Sequence, residues 1–91
     1  LAVDVLLPQC HSLKEKRAVV KTIVEGSVRR YRVAAAEVDH QDKWQRAGLG
    51  FVTVSGSEAH AREVLDAVER FVWSFPEVEV VDATMQWLED T

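Results

Sequence analysis

The sequence predicts an α+β sandwich with the order β-α-β-β-α-β. Three observations carry this. Two long stretches repeat their apolar residues at helical spacing. Each helical stretch lies between short runs rich in Val, Leu, Ala and Phe. Gly, Pro, Ser and Asp punctuate the joints between them. Apolar residues make up 47% of the 91-residue chain, enough for one modest core, and the expectation is a single domain over residues 1–91.

Leu1-Ala-Val-Asp-Val-Leu-Leu7 reads as the first strand, closed by Pro8. Ser12-Leu-Lys-Glu15 has the capping-box pattern. The Ser hydroxyl takes one orphan amide of the first turn, and Glu15 reaches back to another. The helix that follows gathers Leu13, Val20, Ile23, Val24, Ser27 and Tyr31 on one face. Lys14, Lys21, Glu25 and Arg29 fall toward solvent, and the helix is expected to end near Arg30. Gly26 inside it should weaken the helix by about 1 kcal/mol relative to Ala. Arg32–Asp39 reads as the second strand, although its three alanines also suit a helix. His40–Gln45 is the turn, and Arg46–Ser55 is the third strand. Gly48 and Gly50 permit a bulge or close packing there. Ser57 is an N-cap for a helix carrying Ala61, Val64, Leu65, Val68, Phe71, Val72 and Phe75 on one stripe, and Pro76 stops it. Glu77–Leu88 is the last strand. Its alternation slips at Val80-Val81, which predicts a bulge or a change of buried face.

A right-handed β-α-β crossover with room for a strand between, repeated in the second half, gives the ferredoxin-like sandwich. Its antiparallel sheet has the order 4-1-3-2, with both helices on one face. This topology places Cys10–Arg17, Asp39–Arg46 and Trp73–Pro76 on one rim.

Composition narrows the function classes. No uncharged stretch is long enough to span a bilayer and no signal-peptide pattern opens the chain, so no membrane role is expected. The chain begins within an apolar run and without Met, so a few upstream residues are expected. The lone Cys10 cannot form an internal disulfide, which fits a reducing, cytoplasmic setting. The net charge of −4 argues against non-specific nucleic-acid binding. That charge is unevenly spread. Residues 1–46 hold nine Lys and Arg against six Asp and Glu, a net of +3, and residues 47–91 hold two against nine, a net of −7.

Ser12-Leu-Lys-Glu-Lys-Arg17, followed by Glu37-Val-Asp-His-Gln-Asp-Lys-Trp-Gln-Arg-Ala47 and by Val54-Ser-Gly56, resembles the YlxP-like family of small bacterial proteins of unknown function. The resemblance covers essentially the whole chain. It implies the same ferredoxin-like fold and no established activity, so it carries over no catalytic residue. It also implies a genetic setting near translation initiation and ribosome maturation.

Two candidate surfaces follow. The first is the rim formed by Lys14, Lys16, Arg17, His40, Asp42, Trp44 and Arg46. Basic residues near a helix N-terminus can clamp phosphate, and an exposed Trp beside an Arg can stack on a base or anchor a protein. The plainer reading is solvated charge, with Asp39 or Asp42 pairing with Lys14 or Arg17 and Trp44 covering the core. The second is the open sheet face, where Leu6, Leu49 and Phe51 are expected to lie with Ala2, Asp4, Thr53, Val33 and Ala35. A face this apolar wants a cover, supplied by a second copy or a partner protein. The third strand, Ala47-Gly-Leu-Gly-Phe-Val-Thr-Val54, echoes the RNA-recognition motif. Leu49 stands at the first stacking position and the first strand lacks an aromatic, which argues against base stacking on the sheet.

Chemistry of other kinds finds little footing. Cys10, His11, His40 and Asp42 are metal-ligand types, but no CxxC, HxH or HExxH spacing joins them. No nucleophile elbow or Gly-rich phosphate loop is present. Alternation puts Glu37 and Asp39 on the strand's outer face, where salt bridging is the expectation. The reading is therefore a binding or accessory module, not an enzyme, with no cofactor and no small-molecule substrate. Its expected partners are the ribosome or structured RNA, with a homodimer as the alternative. A small enzyme or metal protein at the rim ranks last.

Overall fold

The computed structural model describes residues 1–88, and residues 89–91 of the expected domain lie outside the described residues. The elements are β1 (Ala2–Leu6), α1 (Leu13–Tyr31), β2 (Ala34–Asp39), β3 (Arg46–Val52), α2 (Glu58–Trp73) and β4 (Glu79–Thr84). The sheet runs β2-β3-β1-β4 and every pairing is antiparallel. This is the ferredoxin-like α+β arrangement. The strands are shorter than the sequence suggests. Residues 85–88 continue beyond β4 without a strand partner, and residues 53–55 leave the sheet after β3.

Local chemistry sets the helix ends. The Ser12 hydroxyl accepts from the Glu15 amide, and a Glu15 carboxylate oxygen accepts from the His11 amide at 2.6 Å. The first bond satisfies an amide that the first turn leaves open, while the second reaches one residue past the cap, to His11 and not to Ser12. Arg32 closes α1 in the left-handed region, with its amide on the Val28 carbonyl. Ser57 caps α2 by accepting from the His60 amide.

Register decides what is buried. Val3 lies opposite Leu49, and Val5 opposite Ala47, so all four point to one face. That face meets the helices. The core contains Val3, Val5, Leu7, Leu49, Phe51, Val20, Ile23, Leu65, Val68 and Val72. Leu49 and Phe51, expected on the open face, are 0% and 1% exposed and belong to the core. Val33 and Ala35 of the second strand turn the same way, Val33 buried and Ala35 opposite Phe51. The open face instead carries Gly48, opposite Asp4, Gly50, opposite Ala2, and the exposed Val52 from β3.

Two bulges shape the sheet. Asp4 pairs with Asp82 and Val5 with Val80, leaving Val81 as the extra residue at the predicted slip. Glu37 pairs with Leu49 and Asp39 with Gly48, leaving Val38 extra. Gly48 is needed at the second bulge, since a Cβ there would sit 2.7 Å from the Asp39 Cβ. Gly26 has a related role between the helices. A Cβ on it would stand 2.7 Å from the Phe71 ring, so the glycine permits close approach of α1 and α2.

Candidate functional site

The rim is built around one side chain. Lys16 lies on α1 four residues before Val20, seven before Ile23 and eleven before Ser27, all of them buried. Helical spacing therefore carries it under the sheet edge, and it is 0% exposed. Its ammonium donates to a Glu37 carboxylate oxygen at 2.7 Å. It also donates to the carbonyl oxygens of His40 at 2.8 Å, Gln41 at 3.2 Å and Arg46 at 3.3 Å. These contacts neutralise the charge and occupy its donors, which makes burial of a lysine tolerable.

Lys16 is thus a pin through the β2–β3 hairpin, not a surface cation. Glu37 is not on the outer face as its alternation suggested. It shares a face with Leu49 and reaches α1, with its side chain 15% exposed. The bulge at Val38 separates it from Asp39, whose side chain stays 73% exposed.

The hairpin that Lys16 holds is tightly organised. His40 adopts φ 59°, in the left-handed region, and its amide donates to the Asp39 carboxylate. The Lys43 amide closes a turn on the His40 carbonyl. The Gln45 side-chain amide reaches the Pro8 and Cys10 carbonyls, and the Leu7 amide donates to the Gln45 carbonyl. The hairpin and the start of α1 therefore lie at the same end of the sheet. The α2–β4 connection joins them, since Leu6 lies opposite both Arg46 and Glu79.

Trp44 stands out from this fixed loop with 54% of its surface exposed, so it does not cover the core. It lines a shallow depression with Leu6, His11, Asp42, Lys43, Gln45 and Arg46. Arg46 does not present a free charge there. Its guanidinium makes a two-point pair with the Asp4 carboxylate at 3.1 and 2.6 Å on the open sheet face. That hydrogen-bonded pair holds the Asp4 carboxyl below the usual carboxylate range. Lys14 and Arg17 are exposed and make no ion pair among the described residues, Asp39 and Asp42 included. The exposed cations of the rim are accordingly Lys14, Arg17 and Lys43, the last of which sequence reasoning passed over.

Cys10 is buried, and desolvation together with the nearby Glu15 raises its thiol pKa. No grouping of His, Cys, Asp or Glu suited to a metal ion occurs among the described residues. Nor is any of the described helices long and apolar enough to cross a membrane.

Residues 1–85 match the family described as a protein of unknown function, DUF503. The chain belongs to this family. A relative, the uncharacterized protein YlxP of Bacillus subtilis strain 168, is 40% identical over 76 residues, which cover 84% of this chain and 83% of the relative. Neither the description of the DUF503 family nor that relative's name states an activity, so the rim must be interpreted from its own chemistry.

Proposed function

We propose that the chain is a non-catalytic module that docks on structured RNA within a ribonucleoprotein, the ribosome foremost, through the hairpin rim. The observation that carries this is Trp44, held out to solvent on a loop that the buried Lys16 fixes from beneath. A pre-ordered loop loses little entropy on binding, and a half-exposed indole suits stacking on a base. Lys43 beside it, with Lys14 and Arg17 in the first turns of α1, supplies charge for two or three phosphates. So few contacts give weak binding to free RNA, on the order of micromolar or weaker, so a partner that adds protein contacts is favoured.

Co-sedimentation with ribosomal subunits at several salt concentrations tests the reading. The wild type should pellet at low salt and be released as salt rises. The folded Lys14→Glu/Arg17→Glu pair and Trp44→Ala should remain in the supernatant. Variants that pellet like the wild type would sink the rim as the contact surface.

A second reading is self-association through the open sheet face. Val38 and Val52 are 59% and 62% exposed on β2 and β3, beside Ala34, Ala36 and Gly50. Sedimentation equilibrium of Val52→Glu against wild type is its test. A wild-type monomer at high concentration removes it.

A further inference from the structure

The outer face of α1 is a charged surface that the rim alone does not use. Lys14, Arg17, Lys21 and Arg29 are all exposed. At 100° per residue they fall within about 120° of arc, and from Lys14 to Arg29 they run about 22 Å along the axis. None of the four makes an ion pair with a carboxylate among the described residues. Glu25 is the single α1 carboxylate in that arc, while Glu15 lies outside it and is engaged with the His11 amide. Arg30 points elsewhere, with its guanidinium 5.0 Å from the centre of the Phe71 ring.

We infer that this face of α1 is the docking surface for the phosphate backbone of an RNA duplex. This rests on the RNA reading above and names the form of RNA. A band of unpaired cations along a rigid rod suits a run of backbone phosphates. Single strands are gripped by stacking rings set among basic groups. The one aromatic on α1, Tyr31, is half-buried and packs edge-on against Phe71, so the row offers no stacking platform. A-form RNA is recognised through its shape and backbone, which asks for cations and not for base-reading side chains. The row begins at the turn of α1 beside the hairpin.

The measurement is fluorescence anisotropy of the full chain with a labelled RNA hairpin. A blunt RNA duplex, a single strand, a DNA duplex of equal length and phosphatidylserine vesicles are the comparison probes. Four phosphate contacts predict a slope of about −3 to −4 in log affinity against log salt, or about a 100-fold loss for a fourfold rise in salt. Lys21→Glu/Arg29→Glu should bind the hairpin at least about tenfold more weakly, with a slope shallower by about 2. Its thermal melt should match the wild type. If Lys21→Glu/Arg29→Glu binds like wild type while Lys14→Glu/Arg17→Glu fails, the row is refuted and the rim stands. If both pairs bind like wild type, the rim falls with it. A wild type that pellets with ribosomal subunits yet ignores the hairpin also refutes the row. Equal binding to single strand, DNA or vesicles overturns the assignment to duplex RNA.

Discussion

Replacing Lys16 with Met keeps most of the side chain's length and removes its charge. The change strips four acceptors of their donor: one Glu37 carboxylate oxygen and three main-chain carbonyls of the hairpin. Glu37, only 15% exposed, is then left as a charge without its partner. Breaking a buried ion pair from one side costs about 3–5 kcal/mol, because the surviving charge keeps its desolvation penalty. A domain of this size has about 5–14 kcal/mol in all at 0.05–0.15 kcal/mol per residue, so the loss is a large fraction of stability. Urea unfolding followed by tryptophan fluorescence reads it as a lower midpoint with an unchanged slope. Lys16→Met/Glu37→Leu should recover part of the loss, since an apolar pair replaces the orphaned carboxylate. Amide exchange in residues 40–45 should accelerate in the single variant more than in the helices. A cost below about 1 kcal/mol would refute the pin, because it falls well short of the penalty expected for breaking a buried ion pair from one side.

Gly26→Ala sets propensity against packing. A helical interior favours Ala by about 1 kcal/mol, but the added methyl meets the Phe71 ring at 2.7 Å. Overpacking of this kind costs about 1–3 kcal/mol, so thermal unfolding should show a net loss, and a gain would mean that Phe71 yields freely. The Asp4–Arg46 pair predicts a pH effect. Because Asp4's folded pKa is depressed, chiefly by the Arg46 hydrogen bond, its stabilisation is present above the ordinary aspartate range and is lost as pH falls through the folded value. Chemical denaturation below about pH 4 should therefore show a smaller pH dependence in Asp4→Asn than in wild type. Parallel curves would sink the assignment.

Particular residues show what the sequence discloses and what it hides. Element order, both N-caps, the stop at Pro76 and the slip at Val80-Val81 depend on neighbours in the chain, and they were legible. The facing of β3 was not. Ala47, Leu49 and Phe51 alternate with Gly48, Gly50 and Val52, so either set can be apolar. The choice depends on which β1 residue each one opposes, a long-range register that a one-residue slip inverts. Phe51→Glu, which an open-face reading would tolerate, therefore places a carboxylate in the core. Lys16 was hidden for a different reason. Its spacing to Val20, Ile23 and Ser27 marks it as inward, but a lysine is read as solvated until its acceptors are known. Those acceptors come from residues 37–46, distant in the chain.

The strand order has a consequence for how the chain is made. Of the described elements β1 is the first to leave a ribosome, yet it is an inner strand, flanked by β3 and β4. Its partners lie at residues 46–50 and 79–84. A nascent chain can therefore assemble α1, β2 and β3, with Lys16 already on its acceptors, while one edge of β1 waits open. That edge closes only when residues 79–84 emerge. Contacts this remote slow folding, and an unpaired strand edge invites pairing with other chains in the interval. Truncations ending before residue 79 should accordingly aggregate during synthesis, although they retain most of the core residues.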